Sequence, residues 1–357
     1  MARNKNTTTN NTRFRTPPPP PKPPPSSSTS NLPAYIVLPA LTLTGTALYT
    51  YYLFLDEVPY TKRKRLLATS IAFEQKIGDN EYQKLLQSFG KNNILPENHR
   101  ASVTVRRIGS RIANSADRFM VKYDPKKDTT TTKSNKPYTY TVIRSNQANA
   151  FVLPGNHVFV LTGLFRYAQN EDELAAVLGH EMAHNIARHA GERLSGNVLM
   201  SFLGKLLLLI DPSMTLYMMF VPAVTLLREL PHSREHEVEA DRIGVMIASD
   251  ACYDPRAAKR VFGSMKAGIE NSNTTKTKQP SQPPEFLSTH PSYDSRLSNF
   301  DNWMPEAMDI FHQDGGMKCQ QIRYEMAQAR KLAAREHAWR EEQQQRRKKK
   351  GEIQFGV

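Results

Sequence analysis

The chain has 357 residues, with 48 Lys and Arg against 34 Asp and Glu for a net charge of +14, and two cysteines. That length has room for one catalytic domain of roughly 250 residues with appendages. Cys252 and Cys319 lack metal-ligand spacing and form no disulfide framework, so no structural redox role is expected of them.

Residues 1–31 hold five basic residues, no acid and a proline run from 17 to 25. Such a stretch builds no core and reads as disordered or polyproline-like. Its basic, hydroxyl-rich, acid-free composition is compatible with mitochondrial targeting, although the prolines interrupt any amphipathic helix. Residues 32–55 are uncharged and mostly apolar, long enough to span a bilayer, with Tyr49, Tyr51 and Tyr52 suited to its interface. A signal peptide would have a shorter apolar region and a cleavage site, so a retained single anchor is the reading. Lys62-Arg63-Lys64-Arg65 follows, and by charge alone it would place that side toward the cytosol or matrix.

Leu66 to Phe89 and His99 to Ala113 carry helical apolar spacing, separated by Asn92-Asn93 and Pro96. Lys126 to Lys136 is a polar loop. Tyr138 to Leu164 reads as two strands, with a turn signal at Leu153-Pro154-Gly155-Asn156 before the β-rich run Val158 to Leu161.

Asn170 with Glu173 has the form of a capping box and opens a helix. On it, His180-Glu181-Met182-Ala183-His184 is an HExxH motif. Its two histidines lie on one helix face, separated by roughly 6 Å of rise, and can bind one tetrahedral Zn²⁺. Glu181 sits beside that metal, placed to take a proton from the attacking water and pass it to the leaving amine. A third ligand is needed. The extended metzincin pattern requires Gly and His where the chain has Ala187 and Ala190, and His189 is one residue out of register. The third ligand is therefore sought on a later helix, between Pro231 and Gly244, where Glu235, His236, Glu237 and Glu239 are candidates. Glu237 and Asp241 share a face, whereas Glu239 lies about 200° round from Glu237. One face can thus supply a ligand, Glu237, and a carboxylate, Asp241, that holds a ligand histidine by its other nitrogen.

Between the two motifs, Val198 to Leu227 is apolar but broken by Lys205, Asp211 and Pro212. It reads either as a helical hairpin at the membrane surface or as core packing. Asn271 to Pro284 is a second polar loop. Residues 331–350 hold eight basic groups against three acids. This suits a solvated helical tail or a contact with anionic lipid; no nucleic-acid motif accompanies it.

The chain resembles the membrane-associated zinc endopeptidases that include the HtpX-like and CAAX prenyl proteases, with the OMA-type branch of the mitochondrial inner membrane as the nearest likeness. The residues that carry it are Asn149-Ala150-Phe151-Val152-Leu153-Pro154-Gly155 running into Val158-Phe159-Val160, the HExxH helix, Ser233-Arg234 leading to Glu237-x-Glu239-Ala240-Asp241, and Thr289-His290-Pro291-Ser292 with Arg296. The resemblance covers roughly residues 60–310. It implies an α+β fold, mainly helical and zincin-like, with a small sheet along the cleft and one transmembrane helix before it. It makes Glu237 the third ligand of one zinc per chain. His290 and Arg296 become candidates for contacting the substrate carbonyl or its developing charge. Asn149, Ala150 and Phe151 become the strand that pairs with substrate backbone.

The expected organisation is a basic N-terminus over 1–31, an anchor over 32–55, a metallopeptidase domain over 60–310 and a basic tail over 311–357. By the same resemblance the catalytic domain faces the intermembrane space and the substrates are membrane or misfolded proteins, cut in quality control and stress response. Lipid is met through the anchor and the tail, nucleic acid is no partner, and a homo-oligomer stays open. Two other readings remain at this stage. A CAAX-type prenyl-protein protease would ordinarily have many spans, and a non-catalytic chaperone or adaptor would not need the complete set of catalytic residues.

Overall fold

A computed structural model describes residues 45, 49, 51–123, 136–211, 213–218, 234–274, 286, 290 and 293–354. The chain divides into two units, Met1–Tyr52 and Leu53–Val357. In the first, residues 45, 49, 51 and 52 are helical, and the tyrosines at 49, 51 and 52 are exposed. The N-terminus over 1–31 and most of the expected anchor lie outside the described residues. Leu55 does not continue the helix, because it opens strand β1.

The second unit begins with a hairpin, β1 (Leu55–Glu57) paired antiparallel to β2 (Lys64–Leu66). Leu66 therefore belongs to a strand and not to the following helix; Arg65 tucks beneath the hairpin and bonds Asp56 and the Ala187 carbonyl. Helix α1 (Ile71–Phe89) starts where the Ser70 hydroxyl accepts the Phe73 N–H, and ends at Gly90, whose φ of 76° suits glycine. Helix α2 (Arg100–Tyr123) buries Val105, Ile108, Ile112, Ala116 and Phe119 along one stripe, and runs past the expected end at Ala113.

Three strands follow where two were expected: β3 (Thr139–Ile143), β4 (Ala150–Leu153) and β5 (His157–Leu161). Their order is β3-β5-β4, with β5 parallel to β3 and antiparallel to β4. The residues from 144 to 149 break one apparent run into β3 and β4. The turn before β5 falls at the expected Pro154-Gly155-Asn156, with φ of 86° at Gly155 and 67° at Asn156.

Helix α3 (Glu171–Ile186) carries the HExxH motif through the centre of the domain and is buried from Glu173 to His184. Its cap forms at Asn170, whose side-chain Oδ1 accepts the Glu173 N–H at 2.9 Å, while the Glu173 carboxylate accepts the Gln169 N–H and not that of Asn170. Helix α4 (His189–Ile210) follows a break at Arg188 and passes unbroken through Lys205 before stopping at Asp211. Among the described residues it is the one helix long and apolar enough to cross a membrane, by length and composition. Val198, Phe202, Leu209 and Ile210 are exposed, so this half of the apolar stretch does not pack into the core. Residues 219–227 lie outside the description.

Helices α5 (Arg234–Asp250), α6 (Arg256–Thr274), α7 (Tyr293–Phe311) and α8 (Met317–Gln354) complete the unit. The first loop, 126–136, lies outside the described residues except for Lys136. The second was expected from Asn271, but α6 continues to Thr274, and residues 275–284 lie outside. The cysteines are also corrected: Cys252 and Cys319 form a disulfide, with Cα atoms 5.0 Å apart, tying the end of α5 to α8. They are 67 residues apart in sequence, and spacing alone gives no sign that folding brings the two helices together.

Candidate active site

Two glycines set the site. A Cβ on Gly179 would meet the Gly244 carbonyl oxygen at 2.8 Å, and one on Gly244 would meet the His180 nitrogen at 2.8 Å. Helices α3 and α5 thus cross with their backbones in contact, which no larger residue allows. That crossing lays one turn of α5, bearing Glu237 and Asp241, along the turn of α3 that bears His180 and His184.

His180 Nδ1 lies 2.9 Å from Asp241 Oδ1, and His184 Nδ1 is hydrogen-bonded to His189. Their Nε2 atoms are left facing one another at 3.1 Å, and each is 3.5 Å from a Glu237 oxygen. His290 joins them, with Nδ1 2.8 Å from Glu237 Oε2 and 3.3 Å from His180 Nε2. Donor atoms of His180, His184, Glu237 and His290 all lie within 4.8 Å of one another, and all four residues are buried. Three imidazoles and a carboxylate converging on one point, with the far nitrogens of His180 and His184 already bonded, fit a metal cation.

Glu181 lies alongside and is buried; its Oε1 is 3.5 Å from His290 Nε2, and that atom makes no hydrogen bond. Burial holds its carboxyl above the usual carboxylate range, offset in part by His290 and His180. That state suits a group that takes and returns a proton. Burial also acts on Glu237 and Asp241, but there it is outweighed and both are lowered. The imidazoles of His180 and His290 hold down Glu237, and the Arg296 guanidinium with His180 holds down Asp241. His180 is pushed up to about 9: burial works against this, but Asp241 and Glu237 prevail.

The structure places the expected residues unequally. His180, His184, Glu237 and Asp241 stand as the helix faces required. His290, the candidate for meeting the substrate carbonyl or its developing charge, sits beside the metal donors, stacked on Phe286 with ring centres 4.6 Å apart. Arg296, the second candidate for that role, is wholly buried. It donates to both Asp241 oxygens at 2.7 Å, lies over the Phe262 ring and reaches the His290 carbonyl at 3.3 Å. Ala150 and Phe151 lie in β4, at the edge of the sheet and alongside α3. Asn149 precedes them, and its carbonyl accepts the Leu161 N–H. Phe286 and Phe262, which frame His180 and His290, carried no sequence signal beyond being aromatic.

Residues 113–304 match Peptidase family M48. The chain belongs to peptidase family M48. Among curated relatives, it is 32% identical over 280 residues to the mitochondrial metalloendopeptidase OMA1 of Schizosaccharomyces pombe, covering 76% of this chain and 74% of the relative. It is 33% identical over 283 residues to the protein of that name in Saccharomyces cerevisiae, covering 77% and 76%. With the Bos taurus metalloendopeptidase OMA1, identity is 31% over 268 residues, covering 73% of this chain and 48% of that protein. This M48 peptidase is accordingly a mitochondrial metalloendopeptidase, mainly helical, with the donor set that a metal-dependent hydrolase needs.

Proposed function

We propose that this M48 peptidase holds one Zn²⁺ on His180, His184 and Glu237 and cuts extended segments of membrane or misfolded proteins at the mitochondrial inner membrane. The observation that carries the reading is the buried convergence of His180, His184, Glu237 and His290 within 4.8 Å, with Glu181 beside it. Two imidazoles and a glutamate are a recurrent zinc peptidase donor set. Bound zinc supplies Lewis-acid polarisation of the scissile carbonyl and eases deprotonation of water. Glu181 takes the proton from the attacking water and returns it to the leaving amine. Asp241, itself held by Arg296, keeps His180 turned with Nε2 inward. His290, with Nδ1 2.8 Å from Glu237 Oε2, stands beside this set and is placed to meet the substrate carbonyl or the charge developing on it. Strand β4 presents an edge on which the backbone of an extended substrate pairs, which demands little of its sequence.

An anchor over 32–55, the exposed apolar face of α4 and the basic tail favour work beside a lipid surface. The Cys252–Cys319 disulfide favours a catalytic domain outside the reducing matrix, toward the intermembrane space. The test is Glu181→Gln in the full chain. It should retain about one zinc per chain and lose proteolysis, and its cell proteome should accumulate uncut membrane proteins. Substantial residual cleavage by that variant overturns the mechanism.

A further inference from the structure

Each histidine that turns Nε2 toward the metal centre needs its other nitrogen held. For His180 the partner is a carboxylate, Asp241. For His184 it is a second imidazole, with Nδ1 2.7 Å from His189 Nδ1. His189 Nε2 in turn lies 2.9 Å from Glu239 Oε2. That carboxylate also accepts the Thr61 hydroxyl and the Arg63 guanidinium, the latter at 2.8 and 3.0 Å. His189 is 0% exposed and Glu239 4%, so water does not compete along the row.

Hydrogen-bond chemistry orders the protons. A neutral His184 that offers Nε2 to a metal carries its hydrogen on Nδ1 and donates it to His189. His189 accepts at Nδ1, so its own hydrogen is on Nε2 and goes to Glu239. The Glu239 charge is met by Arg63. The other neutral tautomer of His189 would set one N–H against another at 2.7 Å, and a bare nitrogen against a carboxylate.

We propose that His189 is a positioning residue for His184, and that Glu239, clamped by the Thr61–Arg63 turn, positions His189. This rests on the reading of the metal centre given above. It accounts for two residues that the ligand pattern leaves over. His189 is out of register for a third ligand, and it follows Arg188, whose left-handed φ of 51° breaks the helix and lets the His189 ring fold back on His184. Glu239 points away from Glu237 because it serves the far side of the same centre. The turn between β1 and β2 thereby supports a metal ligand it does not touch.

The test uses the full chain, purified in detergent, with His189→Leu and His189→Asn. The Asn side-chain oxygen can stand where His189 Nδ1 accepts; Leu offers nothing. Zinc loss into a chelator, kcat and KM on a peptide, and the unfolding of the metal-free protein are read together. His189→Leu should release zinc roughly 10–100-fold faster. Its kcat should fall while KM stays close to wild type, and His189→Asn should recover most of both losses. Wild-type zinc retention in the Leu variant overturns the proposal. So does equal loss in both variants in step with a weakened metal-free fold, which assigns His189 to packing alone. Wild-type protein that holds no zinc before chelator is added overturns the metal-centre reading instead, and is seen before any variant is compared.

Discussion

Asp241→Asn separates what holds the fold from what holds the metal. Asp241 and Arg296 are both fully buried and joined by two bonds of 2.7 Å, while the other face of Asp241 accepts His180 Nδ1. Asparagine keeps one oxygen and loses the charge, so the guanidinium loses its two-bonded partner and keeps the more distant Glu237 carboxylate at 3.7 Å. Breaking a buried pair in this way costs about 3–5 kcal/mol, a large share of the roughly 5–15 kcal/mol that holds a domain folded. Separately, His180 loses its charged partner, and metal affinity should fall roughly 10–100-fold. A double variant, Asp241→Asn with Arg296→Met, removes the stranded charge. It should recover much of the stability, because an apolar replacement for both partners is often neutral, yet leave metal affinity as low as in the single variant. Denaturant unfolding of metal-free protein reads the first quantity and chelator competition the second. If the single variant unfolds within about 1 kcal/mol of wild type and holds its metal as tightly, the coupling of Arg296 through Asp241 to His180 is wrong.

Gly244→Ala should part α3 and α5, since its Cβ would meet backbone atoms of Gly179 and His180 at 2.8–2.9 Å. A stability loss of about 1–3 kcal/mol with weakened metal binding is expected, and wild-type chelator competition would count against the crossing. Cys252→Ser opens a link spanning 67 residues and should lower stability by about 2–4 kcal/mol; unfolding with and without reductant measures it, and no difference would refute a structural role. Glu239 is lowered to about 2: burial opposes this, but bonds from His189, Arg63 and Thr61 prevail. Its contribution to stability is therefore present above the unfolded value near 4.5 and is lost as pH falls toward 2. Glu239→Gln should flatten that limb of the metal-free stability curve, and an unchanged limb would remove Glu239 from the account.

Much of the metal centre was legible because helical geometry is local. His180 with His184, and Glu237 with Asp241, are each four apart, and a helix puts each pair on one face whatever surrounds it. The Asn170 cap and the Pro154-Gly155 turn were legible for the same reason. What the sequence hid depends on chain meeting chain. The Gly179–Gly244 contact that sets the two faces together looks like any small residue in a helix. Nothing local to Arg296 shows that α7 buries it against Asp241. His189 fails as a ligand by register, and only the break at Arg188 turns it back toward His184. The disulfide joins helices whose approach no local spacing encodes.

The edge strand supports a last prediction. The Leu161 N–H bonds the Asn149 carbonyl, so the antiparallel pairing places 151 opposite 159 and 153 opposite 157 as bonded pairs. Ala150 and Val152 then direct their N–H and carbonyl groups to the open edge. Val152→Pro removes one outward donor and no bond to β5, and proline is tolerated on an edge strand. The Val152 side chain packs on the core, and proline keeps an apolar body there. Losing one backbone bond to an extended substrate should cost about 0.5–1.5 kcal/mol, which lowers kcat/KM roughly 2–10-fold. Zinc content should not change, because β4 bears no donor to the metal. Peptide cleavage measured as kcat/KM beside metal analysis decides the matter. Unchanged kcat/KM with intact zinc would mean that substrate does not pair with β4, and the strand would revert to a plain member of the core sheet.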